Sequence, residues 1–214
     1  MAVSEMFATS CSNQGKLAME RSSKEELSVK FGSILISEYD QIMRSQADSV
    51  GYDWRWLTAI AYQESRFLND VRSVSGAIGL MQVMPRVARS YGVGADQIAD
   101  PETNVRTAVK ILKRIEGMLR FSDDTPHTER LKIILACYNA GVGHIIDARR
   151  LAVKHGANHN SWDQLKKYVR MKGSPEYVND EAVRNGAFNG SETVDFVAKV
   201  MSKYYQYCRE YKLS

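Results

Sequence analysis

A single carboxyl group lies within an apolar stretch of this sequence. Glu64 has apolar neighbours at intervals of three or four residues, namely Leu57, Ile60, Ala61 and either Phe67 or Leu68. On an α-helix these positions share one face, so the spacing predicts that Glu64 points towards the interior. Loss of hydration raises the pKa of a carboxyl unless a cation compensates it, and a raised pKa suits a general acid. A structural glutamate that pairs with an arginine or caps a helix is the alternative interpretation.

The segment that follows Glu64 has the composition of a ligand-binding turn. Gly76 and Gly79 allow the backbone to turn tightly or to approach a ligand, and Gln82 and Met84 follow within a few residues. The amide of Gln82 carries a donor and an acceptor that suit sugar hydroxyl or acetamido groups. Each residue alone is weak evidence, because glycines usually serve turns and methionines usually fill cores.

Four short motifs occur in a fixed order along the chain. They are Glu64-Ser65-Arg66-Phe67, Gly79-Leu80-Met81-Gln82-Val83-Met84-Pro85, Tyr138-Asn139-Ala140-Gly141, and Glu192-Thr193 followed by Phe196-Val197. In this order and spacing they resemble the catalytic domain of the lytic transglycosylases that cleave bacterial peptidoglycan, in the soluble-lytic-transglycosylase branch. The resemblance extends over roughly residues 38 to 207, and four ordered motifs are far more specific than one short pattern.

The resemblance implies a role for each residue that matches a family motif. Glu64 would be the single catalytic acid. The candidate substrate-binding residues are Ser73, Gln82, Met84, Tyr138, Asn139 and Glu192. Three of these have structural alternatives. Tyr138 can be a core aromatic, Asn139 can shape the turn after a helix, and Glu192 can stabilise a helix terminus.

The number of carboxylates determines which chemistry we expect. A hydrolytic glycosidase ordinarily uses two, whereas Asp70, the nearest acid after Glu64, lies in a polar stretch and is predicted to be a solvated loop residue. The resemblance implies that the substrate itself supplies the groups that replace a second carboxylate. The N-acetyl group of N-acetylmuramic acid stabilises the developing charge, and that sugar's 6-hydroxyl then attacks to give a 1,6-anhydro end. No metal or cofactor is needed. The rivals are a goose-type lysozyme-like hydrolase and a non-catalytic glycan-binding module.

Helical periodicity dominates the elements that must position these residues. Helices are predicted over residues 34–50, 54–67, 101–119, 129–139 and 194–211, and no alternating strand pattern of any length is present. Asp100-Pro101 is a typical helix start. We therefore predict an all-α chain. The resemblance adds a lysozyme-like helical domain with a substrate groove over residues 34–214. The polar and charged composition of the first part of the chain predicts a disordered leader or tether over residues 1–33.

Periodicity weakens between residues 149 and 191, which predicts a loop-rich insertion beside the groove. Trp162, Tyr168, Tyr177 and Phe188 either stack on sugar rings or anchor the loops to the core, and anchoring is favoured for Trp162. The spacing of His155 and His159 suggests a zinc pair, but the glycine and asparagine between them argue against a helical metal site.

Charge and cysteine content limit the partners. The net charge of +4 is modest and is densest at Arg149-Arg150 and Lys166-Lys167, which suits weak attraction to an anionic cell wall and argues against nucleic acid. Cys137 and Cys208 are predicted to be free thiols. Cys11 follows a lipoprotein-like stretch and is a candidate lipid anchor, although ten residues without a basic start do not form a working signal. No apolar stretch is long enough to span a membrane. We expect a monomer in the bacterial cell envelope, in the periplasm or at the outer membrane.

Overall fold

The architecture consists of α-helices joined by short loops. A computed structural model describes residues 35–211. The α-helices in this range are α1 (Asp40–Asp48), α2 (Trp54–Ser65), α3 (Pro85–Arg89), α4 (Pro101–Leu119), α5 (His127–Ala140), α6 (Val142–Lys154), α7 (Trp162–Met171) and α8 (Gly190–Glu210). A 3-10 turn at Gln97–Ala99 precedes α4. Residues 35–211 contain no β-strand, only isolated antiparallel bridges that join Ile78 to Arg72 and to Val83.

The predicted helices all form, with differences at their ends. The helix over residues 101–119 has the predicted bounds, because the Asp100 side chain accepts a hydrogen bond from the Thr103 amide at 2.8 Å and caps its start. The first helix is shorter than residues 34–50, and the last begins at Gly190, earlier than predicted. The Asn189 side chain caps that last helix by accepting from the Ser191 amide at 3.2 Å.

Helix α2 runs through the centre of the core and packs against α1 and α8. Leu57, Ile60 and Ala61 are fully buried, as the spacing predicts, but Trp56 and Ala59 on the other faces are fully buried too. The first two turns of α2 are therefore surrounded by protein on every side. One polar clamp fixes its start, where Asp53 accepts from the Arg55 guanidinium at 2.6 Å and from the Tyr204 hydroxyl at 3.0 Å.

The prediction that residues 149–191 are mostly loop is wrong for the first half of this segment. The end of α6 and all of α7 lie there, and α7 buries Trp162, Leu165 and Val169, which are three or four residues apart. The helical period was present in the sequence, but glycines and asparagines on both sides of this short helix obscured it. Anchoring is confirmed for Trp162, and Tyr168 and Tyr177 are also buried.

The remaining segment, residues 173–189, is held down by a buried ion pair. Lys172 and Asp147 are both fully buried, and the Lys172 ammonium lies 3.2 Å from the Asp147 carboxylate. Asp147 also accepts hydrogen bonds from the amides of Arg184 and Asn185, at 3.0 and 2.8 Å. Phe188 is partly buried and stacks on His144 with ring centroids 4.5 Å apart. These contacts attach the whole segment to α6.

Several predictions concern single residues or the chain termini. Cys137 is buried, Cys208 is partly buried, and both are free thiols. The predicted leader over residues 1–33 and the candidate lipid anchor at Cys11 lie outside the described residues. Within residues 35–211, no helix has the length and apolar character required to cross a membrane.

Candidate active site

Glu64 lies in the last turn of α2, one residue before its end at Ser65, whereas the sequence predicted a helix that continues to residue 67. Helix α2 ends at Ser65 because Arg66 and Phe67 adopt left-handed backbone conformations, with φ of 55° and 66°. The side chain of Glu64 is partly buried, and burial raises the pKa of its carboxyl to about 8. The negative end of the helix dipole acts in the same direction, because it disfavours a carboxylate at a helix C-terminus. Glu64 is therefore mostly protonated at neutral pH.

The Glu64 carboxyl has no compensating partner in the described part of the chain. Residues 35–211 place no hydrogen-bond donor and no lysine or arginine against it, whereas other acids of the core, such as Asp53 and Asp147, accept several bonds each. A structural glutamate would be expected to have an arginine or a helix end as its partner. The structure does not provide one for Glu64.

A cavity of about 320 Å³ opens in front of Glu64. Its lining includes six of the seven residues predicted from the sequence, which are Glu64, Ser73, Gln82, Met84, Tyr138 and Asn139. Met84 and Val87 form an apolar part of the wall and are 38% and 39% exposed. Helix α2, the turn after it, α3 and the end of α5 thus meet at one pocket.

The turn at residues 78–83 forms one wall of the pocket. Ile78 and Val83 exchange two backbone hydrogen bonds, of 3.1 and 3.0 Å, which close the turn. Gly79 has φ of 77° and Gln82 has φ of 47°, so the turn uses two left-handed residues. The side-chain nitrogen of Gln82, Nε2, donates to the backbone carbonyls of Gly79 and Val71, at 2.9 and 3.2 Å. The side-chain nitrogen therefore holds the turn, whereas the side-chain carbonyl oxygen has no donor among residues 35–211 and can accept from a ligand.

Asn104 anchors this turn from α4 and was not predicted as a site residue. It is fully buried, accepts from the Met81 amide at 2.8 Å, and donates to the carbonyls of Ile78 and Ile98 at 2.9 Å each. The signal in the sequence was an asparagine between apolar positions of a helix, because a buried amide requires partners on another element. Sequence reasoning could have found it, but could not have named those partners.

Tyr138 connects α5 to the same turn. Its hydroxyl donates to the Met81 carbonyl at 2.7 Å. Burial raises the pKa of Tyr138 well above its ordinary value, and the nearby charge of Glu64 adds to this effect. Since its proton is donated to Met81, the hydroxyl oxygen can act only as an acceptor towards Glu64 or a ligand. Tyr138 is thus both a packed aromatic and a wall of the pocket.

Ser73 and Asn139 each keep one polar group free on the pocket side. The Ser73 hydroxyl accepts from the Ala77 amide at 2.9 Å and still has its own proton to donate. The carbonyl oxygen of Asn139 accepts from the Thr193 hydroxyl at 2.8 Å, which leaves its amide nitrogen without a protein acceptor among residues 35–211. Both residues can therefore donate to a ligand oxygen.

Glu192 is not among the residues that line the pocket. It is exposed in the first turn of α8, where it accepts from the Asn189 amide nitrogen at 3.3 Å. This position suits the stabilisation of a helix terminus, since an acid at a helix N-terminus is favourable. The neighbouring residue, Thr193, connects α8 to the pocket indirectly, because its hydroxyl donates to Asn139 in the lining.

Comparison with known proteins identifies the family of this chain. The model of the transglycosylase SLT domain matches residues 41–161, a range that includes α2, the turn at residues 78–83 and Asn139. This range is more than half of the 214 residues. The chain belongs to the transglycosylase SLT domain family. The family resemblance is therefore confirmed, and three of the four motifs lie within the matched range.

Relatives of this SLT domain carry the name membrane-bound lytic murein transglycosylase F. The protein from Cellvibrio japonicus is 33% identical over 163 residues, which is 76% of this chain and 32% of that protein. The protein from Shewanella loihica is 37% identical over 152 residues, or 71% of this chain and 31% of that protein. The chain thus spans about a third of the length of these curated relatives.

Solved structures show the fold that this SLT domain shares. The inactive mutant of the lytic transglycosylase Slt from Pseudomonas aeruginosa matches with a TM-score of 0.55 at 22% identity, over 81% of this chain and 24% of that one. The 70 kDa soluble lytic transglycosylase of Escherichia coli matches with a TM-score of 0.53 at 23% identity, over the same shares. The prediction of an all-α, lysozyme-like helical domain is confirmed.

Proposed function

We propose that this SLT domain is a peptidoglycan lytic transglycosylase. It would cleave the β-1,4 bond between N-acetylmuramic acid and N-acetylglucosamine and leave a 1,6-anhydromuramoyl end. The observation that carries this proposal is the state of Glu64, a partly buried carboxyl that has no partner among residues 35–211, faces a pocket and holds its proton up to a pH of about 8. The names of the relatives, which refer to murein, support the substrate.

The number of carboxyl groups in the pocket favours an intramolecular reaction of the substrate and not hydrolysis. Of the described residues that line the pocket, Glu64 is the only one with a carboxyl group. Asp70 is exposed and lies outside this lining. A hydrolase needs a second carboxylate as nucleophile or to activate water, at about 5 to 10 Å from the first. The single acid therefore favours a reaction in which the substrate provides its own nucleophile.

The two steps follow from one carboxyl that gives up a proton and then takes one back. Glu64 donates its proton to the glycosidic oxygen while the bond from that oxygen to the anomeric carbon of N-acetylmuramic acid breaks. The sugar's N-acetyl group stabilises the positive charge that develops at this carbon. The 6-hydroxyl oxygen of the same sugar then bonds to the anomeric carbon, and its proton passes to Glu64. The acid is restored and no water is consumed.

The remaining groups of the pocket suit a sugar chain. Met84 and Val87 offer an apolar wall to the face of a sugar ring, and sites for small ligands are mostly apolar with a few placed polar groups. The Ser73 hydroxyl and the Asn139 amide nitrogen can donate to acetamido or hydroxyl oxygens. We assign Gln82 and Tyr138 mainly to the shape of the wall, and contact between Glu192 and substrate stays a prediction.

The proposed partner is the glycan strand of peptidoglycan, which places this domain in the bacterial cell envelope, in the periplasm or at the outer membrane. We propose that it acts as a monomer, since the pocket is built from one chain. A lipid anchor at Cys11 would be one way of retaining it at the membrane, and globomycin-sensitive lipid labelling of the expressed chain would test this.

The decisive experiment is mass spectrometry of the soluble products from purified peptidoglycan. The parent protein, Glu64→Gln and Asp70→Asn are compared at equal concentration. We expect anhydromuramoyl ends from the parent and from Asp70→Asn, and a loss of about 10² to 10⁴ in rate for Glu64→Gln. Circular dichroism should show the same helical content in all three proteins.

Other product patterns would contradict the proposal in distinguishable ways. Reducing ends that carry one added water would indicate a hydrolase, and loss of activity in Asp70→Asn would identify its second carboxylate. Binding of the parent to peptidoglycan without any product would indicate a glycan-binding module.

A further inference from the structure

A second and larger cavity lies outside the candidate active site. It has a volume of about 630 Å³ and is formed by the C-terminal end of α4, one side of α6 and residues 181–184. None of its lining residues belongs to the pocket of Glu64. Its size is within the range of about 300 to 1,000 Å³ that is typical of small-ligand sites.

Cationic side chains dominate the lining of this cavity. Arg120, Arg149, Arg150, Lys154 and Arg184 face it, against the single carboxylate of Glu181. The chain as a whole has a net charge of only +4, so the positive charge is concentrated here beyond what its composition requires. Like charges brought together repel one another and weaken the folded state unless an anion balances them.

The cationic side chains differ in how many ion pairs and hydrogen bonds they already form within the protein. Arg150 pairs with Asp147 at 2.9 Å, and Lys154 pairs with Asp180 at 2.9 Å. Arg149 donates to the Leu119 carbonyl and to Asn160, at 2.7 Å each. The guanidinium groups of Arg120 and Arg184 are exposed and form no ion pair or hydrogen bond with any residue between 35 and 211.

The backbone beneath these two free arginines is fixed in place. Arg120 is the left-handed cap of α4, and Arg149 bonds to the carbonyl of the preceding residue, Leu119. The amide of Arg184 donates to the buried carboxylate of Asp147 at 3.0 Å. Two guanidinium groups that form no ion pair or hydrogen bond among residues 35–211 thus extend from backbone that hydrogen bonds hold in place. A site that is ordered before binding loses less entropy when a ligand arrives.

We propose that this cavity, which we call the arginine cavity, binds a small polyvalent oxyanion that carries phosphate or carboxylate groups. The planar guanidinium fork matches the geometry of both groups and bonds to them in a bidentate manner. Arg120 and Arg184 provide the free donors, and Arg149, Arg150 and Lys154 provide the positive field around them. The volume accommodates an anion larger than a single phosphate.

Isothermal titration calorimetry of the full chain at low salt tests the proposal, with inorganic tripolyphosphate and citrate as the two probes. We expect one bound anion per chain. The double variant Arg120→Gln with Arg184→Gln should bind at least about tenfold more weakly, since a hydrogen bond to a charged group contributes that much or more. A preference between the probes shows whether phosphate or carboxylate is the better ligand.

The matched control is Arg114→Gln with Arg170→Gln. Both arginines are exposed, lie outside the arginine cavity, and form no ion pair within the described residues, so this variant loses the same charge elsewhere. It should keep the parent affinity to within about twofold. Equal weakening in both double variants would mean that only net charge attracts the anion and would overturn the site. Absence of binding to the parent would overturn it as well.

Amide chemical shifts in NMR spectra locate the bound anion. Added tripolyphosphate should move the signals of Arg150, Lys154 and Arg184 and leave those of the Glu64 pocket unchanged. Glu64→Gln should bind the anion with the parent affinity, so this test does not depend on the proposed enzymatic activity. Shifts centred on Ser73 and Gln82 would instead place the anion in the other pocket and contradict the proposal.

Discussion

The chemistry of Glu64 depends on its surroundings more than on its residue type. It lies at the C-terminal end of a buried helix, beside an apolar wall, and no cation of the described residues compensates it, so burial raises the pKa of its carboxyl to about 8. The pKa of Asp53, at the other end of α2, is shifted in the opposite direction. Burial would raise its pKa, but hydrogen bonds from Arg55 outweigh burial and lower it. One helix thus carries a proton donor at its end and a permanent carboxylate at its start.

The raised pKa of Glu64 predicts how the free energy of unfolding depends on pH. Between its ordinary value of 4.5 and about 8, the folded chain holds this proton and the unfolded chain has lost it. The unfolded state then binds fewer protons, so Glu64 lowers stability progressively as pH rises through this window. Above about 8 both states are ionised, and no further loss occurs.

The variant Glu64→Gln removes this dependence because glutamine does not titrate. The unfolding free energy of the variant minus that of the parent should increase between about pH 5 and about pH 8, by at most about 1.4 kcal/mol per pH unit. Above about pH 8 the difference should stay constant. Urea denaturation at a series of pH values measures it. Glu102→Gln, which replaces an exposed acid outside the pocket of Glu64, is the control for the change of charge. A difference for Glu64→Gln that stays constant over this range would show that its carboxyl is ionised in the folded protein.

At the scale of elements, the pocket depends on how the turn at residues 78–83 is held against α4. Asn104 contributes two hydrogen bonds to this contact, with Met81 and Ile78, and Tyr138 contributes a third from α5. Gly79 allows the close approach, because a Cβ atom at this position would lie 2.5 Å from the Asn104 amide nitrogen. That nitrogen cannot move aside without losing its bonds to two carbonyls.

Two glycines near the pocket allow the cost of a strained backbone to be distinguished from the cost of a steric clash. Gly76 and Gly79 have similar φ values of 87° and 77°, but a Cβ atom on Gly76 would meet nothing within 4 Å. We expect Gly76→Ala to lower the unfolding free energy by about 1 to 2 kcal/mol from the left-handed backbone alone. Gly79→Ala should cost roughly 2 kcal/mol more, because it also displaces Asn104.

Chemical denaturation of both glycine variants measures this difference, and turnover on peptidoglycan measures its consequence for the pocket. Gly79→Ala should lose activity while Gly76→Ala largely keeps it. Equal stability losses in the two variants would show that Asn104 moves freely and does not anchor the turn.

At the scale of the whole molecule, one buried ion pair joins the C-terminal half together. Lys172 lies at the end of α7, Asp147 lies on α6, and the carboxylate of Asp147 also fixes the amides of Arg184 and Asn185. The Lys172 ammonium further approaches His144 Nδ1 at 2.7 Å and the carbonyl of Gly186. Residues 173–189 pack onto α6 through these bonds, since few apolar residues of this segment are buried.

Loss of Lys172 should therefore loosen this segment. Lys172→Met leaves Asp147 buried with Arg150 as its remaining cation, and we expect a loss of about 3 kcal/mol in the unfolding free energy. Hydrogen exchange should accelerate at the amides of Arg184 and Asn185. The control Lys199→Met replaces an exposed lysine on α8 and should change stability by less than about 0.5 kcal/mol. Unchanged exchange at both amides would mean that the segment is held by other contacts.

The sequence alone determined the helices that have strong apolar periodicity and the motifs that identify the family. It located α4 between Asp100 and Leu119, and it selected six residues that share one pocket. These predictions succeeded because they depend on neighbours within one turn of helix or on motif order. The short helix α7 was missed, since its ten residues carry too few periods to stand out between glycines and asparagines.

Only the tertiary structure decided the features that depend on contacts between distant parts of the chain. These features are the absence of a partner for Glu64 among residues 35–211, the anchoring of the turn by Asn104, the exposed position of Glu192 and the convergence of five cations in the arginine cavity. Spacing along a helix shows which residues share a face. It does not show what that face meets, and burial, hydrogen bonding and charge at a site are set by what it meets.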